Sequence, residues 1–220
     1  MGREIKKRSA KEAIAIIVDG QTEKWYLAKV KDNYPCTALK TVKVKPELPE
    51  YKRIQDLFDL AKNKLDKEYT FVILIVDLDE PRNDSSELAK FNDLYGKYLL
   101  AKKDKLSGKQ KDKYAWMKNI LVIVNNPCFE YWHLLHFGKT NKSYKNYKSL
   151  LPDLKKKPNF ANYDKTDSFY NNTPNIFERL GGIDGLIKAR DNAVEFDLKT
   201  LESEGCSEMN AMFEYFDQLK

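Results

Sequence analysis

Three runs of the chain are apolar without alternation and rich in β-branched residues: AIAIIV at 13–18, FVILIV at 71–76 and ILVIV at 120–124. A strand that faces water on one side alternates polar with apolar, and one buried on both faces does not. Each run therefore predicts a strand of a parallel sheet covered by helices. Helix-length stretches separate them. Thr22 is placed to cap a helix running to residue 31, and residues 50–67 carry Ile54, Leu57, Phe58, Leu60, Ala61 and Leu65 at helical spacing. Residues 85–103 do the same with Leu88, Phe91, Leu94, Tyr95, Tyr98 and Leu99. A weaker run at 39–44, with Thr41, Val42 and Val44, supplies the second strand. The alternation of strands and helices predicts an α/β fold with a mostly parallel four-stranded sheet flanked by helices.

The pattern changes near residue 138. Residues 139–175 are rich in Lys, Asn, Tyr and Pro without a continuous apolar run, which predicts a looser half. Helical spacing returns at 175–180, 184–196 and 207–219, punctuated by Gly181, Gly182 and Gly205. The expected organisation is an α/β core over 1–138 with a mainly helical C-terminal extension, 139–220, packed on it. The Lys- and Asp-rich stretch 102–113 around Gly108 reads as a solvated loop or helix end.

At 220 residues, 42% hydrophobic and 12% aromatic, the chain can build a real core and is not a disordered polymer. The formal net charge of +6 permits polyanionic partners without requiring them. No run approaches the roughly 18–20 apolar residues that cross a bilayer, so no membrane partner is expected. Residues 1–12 are charged and lack the apolar stretch of a secretory signal, which places the expected site of action in the cytoplasm. Cys36, Cys128 and Cys206 form neither a disulfide framework nor a paired metal motif, and fit free thiols in a reducing compartment.

Chemistry gathers where two strong strands end. The first runs into Asp19-Gly20-Gln21-Thr22-Glu23, and the 71–76 strand into Asp77-Leu78-Asp79-Glu80. In open parallel sheets ligands bind beyond the carboxyl ends of strands where strand order reverses, so acids from different strands can converge there. Asp77 and Asp79 are two apart, which in extended chain points both the same way. With Glu23 they would form three carboxylates within reach of one or two hard cations. Unneutralised, such acids raise one another's pKa. All-oxygen ligands select Mg²⁺, Mn²⁺ or Ca²⁺ over softer metals, and Mg²⁺, which completes its shell with water and substrate phosphate, implies phosphoryl transfer or hydrolysis. The plainer reading is that these acids cap helices and solvate strand ends.

After the last strong strand comes NNPCFEYWHLLHF, residues 125–137. Asn126-Pro127 is read as a helix start, with Phe129, Trp132 and His136 on one buried face. Glu130, in the first turn, could join the acidic cluster or fix a neighbouring Lys or Arg. A zinc site of His133, His136 and Glu130 is conceivable, but packing explains the rings equally well. Cys128 reads as a small buried residue. No GxxxxGKS, GxGxxG or GxSxG motif is present, so kinase, dinucleotide-binding and serine-hydrolase readings lose support.

Taken in order, GQTE at 20–23, DLDE at 77–80, the 125–137 segment and Tyr163-Asp164-Lys165 resemble known proteins. The first two motifs look like those of Toprim domains. The whole series, over residues 13–165, is similar to RloB-like proteins, a Toprim-related bacterial family associated with restriction loci and abortive phage infection. The resemblance implies a Toprim-like (Rossmann-like) fold and a metal-dependent nuclease in phage defence. It further implies Glu23 as general acid or base and Asp77 and Asp79 as Mg²⁺ ligands, with Glu130 as a further ligand candidate. Lys165 would stabilise charge developing on a phosphate. Glu80, Asn126 and His136 form an outer set; Glu130 and His136 stand where the family keeps these residues, and His133 where an aliphatic residue is expected. One departure is Pro81, where a third aspartate of a D-x-D-x-D set would stand, so Glu80, Asp84 or Glu130 would have to supply that ligand.

Two functions of different kinds follow. One is a Mg²⁺- or Mn²⁺-dependent nuclease acting on DNA or structured RNA, with Lys43, Lys45 and Arg82, and also Lys6, Lys7, Arg8 and Lys165, as candidates to hold the nucleic-acid backbone. The other is a non-catalytic binding or regulatory module that serves a partner ATPase or another defence protein. A receiver-like phosphotransfer domain fits the acids only loosely. Self-association as a homo-oligomer stays open. What separates the first two is whether Glu23, Asp77 and Asp79 converge within metal-bridging distance.

Overall fold

The computed structural model describes residues 13–36, 46–47, 53–67 and 69–219. The order of elements is β1 (Ile14–Ile17), α1 (Gln21–Asn33), β2 (Pro46–Glu47), α2 (Ile54–Lys67), β3 (Phe71–Asp77), α3 (Ser85–Lys102), α4 (Lys109–Tyr114), β4 (Ile120–Asn126) and α5 (Glu130–Leu135). The chain continues through α6 (Tyr147–Lys155), α7 (Asp167–Asn171), α8 (Ile176–Arg179), α9 (Gly182–Asn192), β5 (Cys206–Ser207) and α10 (Met209–Gln218). Among these residues no helix is long and apolar enough to cross a membrane.

The strands form one five-stranded sheet in the order β2-β1-β3-β4-β5. β1, β2, β3 and β4 are parallel, as the unalternating runs predict, while β5 is antiparallel to β4. The sheet is therefore mixed and one strand larger than expected. The expected strand at 39–44 lies outside the described residues, and the second strand observed is Pro46–Glu47.

Strand periodicity splits the apolar runs between two cores. Ile14, Ile16, Ile73, Ile75 and Ile123 face a layer built by α1, α5, the helices after residue 146 and α10. Ala15, Ile17, Val72, Leu74, Val76, Val122 and Val124 face α2 and α3, with Met117, Phe196 and Leu201. Ile and Val side chains buried completely in this way contribute on the order of 1.5–3 kcal/mol each, which explains why these strands were readable.

The segment after residue 138 is packed, not loose. Leu150, Leu154, Phe160, Tyr163, Phe169 and Tyr170 are all buried in the first core. α6 starts with a reciprocal cap in which the Asn146 side chain accepts from Ser149 N and Ser149 Oγ accepts from Asn146 N. β5 adds to the sheet at one place, pairing Ser207 with Asn125 and Cys206 with Asn126 at the carboxyl end of β4. Gly205 permits that approach, since a Cβ there would stand 2.2 Å from the Tyr131 ring. Below β5, the half-buried Glu208 acts as a substitute strand: its carboxylate accepts from Val124 N at 3.0 Å and Phe196 N at 2.9 Å.

Two helix starts differ from expectation. α1 is capped by Gly20, because the Thr22 hydroxyl donates instead to Glu23 Oε2 at 2.7 Å. α5 begins at Glu130 and not at Pro127, because the Pro127 carbonyl is occupied by Leu78 N and Asp79 N, both at 2.8 Å. Those two bonds join the loop after β3 to the loop after β4.

Candidate functional site

β2 lies on one side of β1 and β3 on the other, so strand order reverses between β1 and β3. A crevice is expected at the carboxyl ends of that pair. Asp19 and Glu23 follow β1, and Asp77 is the last residue of β3. One carboxylate oxygen from each lies within 4.8 Å of the others. The local sequence produces this convergence. Gly20 leaves room for Glu23 to fold back, since a Cβ at Gly20 would stand 3.0 Å from Glu23 Oε2. Asp77 is held by two neutral donors, Asn125 Nδ2 to Oδ1 and Phe129 N to Oδ2, both at 3.0 Å. The Asn125 amide is itself oriented by Ser207 Oγ, which donates to its Oδ1 at 2.6 Å.

The electrostatics of Glu23 and Asp77 are those of buried acids crowded by other acids. Burial, with the Asp19 and Glu130 charges adding, pushes the Glu23 carboxyl up to about 7. Asp77 is raised well above the usual carboxylate range by burial and then by Glu23, Asp19 and Glu130. Asp79 is raised less: burial is opposed by Lys165 and by the backbone N–H groups of Glu80 and Tyr147.

Beside the three acids lies a buried polar chain. Glu130 is fully buried, and its Oε1 accepts from Lys165 Nζ and from Tyr163 OH, each at 2.9 Å. Tyr163 OH meets Tyr170 OH at 2.7 Å, and Tyr170 OH meets His133 Nε2 at 3.0 Å. Glu130 Oε2 has no hydrogen-bond partner among the described residues, although it is buried. An orphan carboxylate oxygen of that kind asks for a missing ion or water. The donors fit a hard divalent cation: all are carboxylate oxygens, two belong to acids that burial and mutual repulsion hold toward the neutral form, and no thiol or imidazole is among them.

A model of RloB-like proteins matches residues 14–216. The chain belongs to the RloB-like family. The match runs on through β5 and into α10, past the motifs that end at Lys165. No curated protein and no solved structure matches the chain.

Within this RloB-like chain, the expected site residues take different places. Glu23 and Asp77 meet, and Asp19 joins them in the position given to Asp79 by sequence. Asp79 stands outside that group, its Oδ1 accepting from Glu80 N at 2.9 Å. Glu80 itself is exposed. Lys165 is bound to Glu130 and lies over the Tyr147 ring at 4.1 Å from its centroid, so its ammonium is already engaged. Asn126 is consumed structurally: its Nδ2 donates to Leu201 O and Glu204 O, and its Oδ1 accepts from Arg82 Nη1. Arg82 also donates to Tyr144 O and pairs with Glu202, with only 7% of its side chain exposed, so it clamps loops together and is not a free backbone-binding cation. Lys43 and Lys45, with Lys6, Lys7 and Arg8, lie outside the described residues. His136 is buried with Nδ1 near Trp132 O at 3.0 Å, and His133 packs among Tyr26, Phe129, Phe160 and Tyr163. Burial drives both imidazoles toward the neutral form.

Sequence reasoning quoted Asp19, Asn125 and Tyr163 within its motifs without giving them a role in the site, and did not single out Ser207 or Tyr170. Asp19 carried a signal, since it follows its strand as Asp77 ends its own. The others depend on contacts between residues 7 to 82 positions apart.

The Glu130–Lys165 pair yields a stability prediction. Removing one partner of a buried pair strands the other charge, which costs about 3–5 kcal/mol when both are buried. With 39% of the Lys165 side chain exposed, we expect Lys165→Met to cost about 2 kcal/mol in urea unfolding. Adding Glu130→Gln should restore most of that loss. A single variant as stable as wild type would refute a stabilising role for the Glu130–Lys165 pair.

Proposed function

We propose that this RloB-like chain hydrolyses phosphodiester bonds of nucleic acid with the help of Mg²⁺ or Mn²⁺, as a Toprim-like nuclease of a bacterial phage-defence system. The observation that carries the reading is the meeting of Asp19, Glu23 and Asp77 within 4.8 Å at the switch point of the sheet. Family membership supports the defence setting, and the parallel strands with acids at their carboxyl ends support the Toprim-like comparison.

Asp19, Glu23 and Asp77 would hold the cation, with Glu130 Oε2 as a further ligand. When bound, the cation would offset their charge and that of a phosphate oxygen. The protein's own groups do the rest. Asn125 and the Phe129 N–H fix Asp77, and β5 fixes Asn125 through Ser207. In hydrolysis a water oxygen bonds to phosphorus as the bond to the leaving sugar oxygen breaks, and that oxygen takes up a proton from solvent. Glu23, at the start of α1, would be the carboxylate that takes the water's proton once the cation holds it ionised.

The test incubates purified protein with supercoiled DNA and with total RNA in Mg²⁺, Mn²⁺ or EDTA. Cleavage that requires the cation is expected. Absence of cleavage together with absence of any cation-induced rise in melting temperature would overturn the reading. A non-catalytic module is the second reading, and the position of Asp79 outside the three-acid group favours it. A rise in melting temperature without cleavage of either substrate would select it.

A further inference from the structure

We infer that the lobe formed by residues 139–157 is the surface that holds the phosphate backbone of a polynucleotide. The inference deepens the nuclease reading, on which it rests for the class of ligand, and places that contact on residues other than those the motifs suggest.

Charge is the first observation. Residues 139–165 contain eight lysines and only Asp153 and Asp164 as acids, an excess of six, equal to the formal net charge of the entire chain. The remainder of the protein is neutral in sum, although residues 102–118 hold seven lysines against two acids, so charge narrows the choice to two segments and shape and position decide between them. Shape is the second. A cleft of about 350 Å³ opens on this lobe, lined by Leu134, Lys139, Lys142, Asp153, Lys156 and Lys157. Asp153 pairs with both Lys142 and Lys156 and accepts from Tyr144 OH at 2.9 Å. One acid thus positions two lysines and can neutralise only one of them. Lys139, Lys145, Lys148 and Lys157 make no ion pair among the described residues, and the first three are exposed.

Position is the third. α6 begins beside the acidic site: the Tyr147 N–H acts on the Asp79 carboxylate, the Tyr147 ring lies under Lys165, and Tyr144 O accepts from Arg82, which follows Asp79 in the chain. From there α6 runs for nine residues to Lys155. At 1.5 Å per residue that is about 14 Å, the rise of about four nucleotides of one strand. Lys145 and Lys148 stand at the acidic end and Lys156 and Lys157 at the far end, so a backbone laid along α6 would reach the crevice at one terminus.

The experiment measures binding in EDTA, where hydrolysis cannot intervene, by fluorescence anisotropy of labelled single-stranded DNA, single-stranded RNA and duplex DNA over a range of salt. The variant replaces Lys139, Lys145, Lys148 and Lys157 by Ala, sparing the Asp153 pairs. A second variant replaces four exposed lysines elsewhere, Lys103, Lys105, Lys109 and Lys111. Each lost phosphate contact lowers the slope of log affinity against log salt by about 0.7–0.9. The lobe variant should therefore show a slope shallower by about 3 and at least roughly tenfold weaker binding near 0.1 M salt, and the second variant neither. Equal losses in both variants, an unchanged lobe variant, or no binding of any polynucleotide by wild type would overturn the inference. Binding through the lobe by a protein that cleaves nothing would refute the nuclease reading alone, so the two failures are distinct.

Discussion

Glu23→Gln should stabilise the cation-free protein at about pH 8 by up to about 3 kcal/mol and leave it unchanged near pH 4.5. Burial and the neighbouring Asp19 and Glu130 raise the Glu23 carboxyl from 4.5 to about 7. Between those values the folded protein holds the proton and the unfolded chain releases it. Stability contributed by the protonated group is thus complete below about pH 4.5 and is lost as pH rises to about 7. Glutamine keeps the shape without the charge, can still accept from the Thr22 hydroxyl, and offers amide hydrogens to the surrounding acids. For a chain of this size the gain corresponds to roughly 5–10 °C in melting temperature. Melting curves in EDTA at both pH values decide it. A variant that melts below wild type at the higher pH would show that Glu23 is compensated by something other than a cation. Adding Mg²⁺ at pH 8 should raise wild type more than the variant, because Glu23 is then one of the acids the ion offsets.

Such a site trades stability for function, and its parts were unequally legible. The three strong strands announced themselves because both faces are buried, which forces unbroken Ile and Val runs. β5 could not be read: a two-residue strand has no period, and Cys206–Ser207 resembles any loop. The core of the 139–175 segment was hidden because Leu150, Leu154, Phe160 and Phe169 are scattered among Lys and Asn, so that composition masked apolar contacts made at long range. Within the site, strand-end acids were visible and their grouping was not. Asp77 and Asp79 share a direction only while the chain stays extended, and β3 ends at Asp77. Beyond it Leu78 N bonds to Asn125 O and Pro127 O, which turns the chain and leaves the place beside Glu23 to Asp19. Arg82 looked like a free cation because its partners, Glu202 and Tyr144, are 62 or more residues away.

Asp77→Asn is expected to lower cleavage by on the order of 10³-fold or more, equivalent to about 4 kcal/mol of barrier. Both Asp77 oxygens accept from nitrogen donors, Asn125 Nδ2 and Phe129 N. An asparagine can satisfy one and must turn its own amide hydrogens toward the other. It also removes one of the three charges that converge at the crevice. The variant should fold, as judged by circular dichroism, yet lose the Mg²⁺-dependent rise in melting temperature along with activity. Ser207→Ala separates position from charge. Its hydroxyl fixes the Asn125 amide at 2.6 Å, so its loss lets that amide rotate while all three carboxylates stay. We expect a decrease of roughly tenfold in cleavage, with Mg²⁺ stabilisation retained. Cleavage by Asp77→Asn at the wild-type rate would remove Asp77, and with it the three-acid crevice, from the chemistry. A Ser207→Ala variant as impaired as Asp77→Asn would instead mean that β5 holds the site together as a whole and does not merely aim one carboxylate.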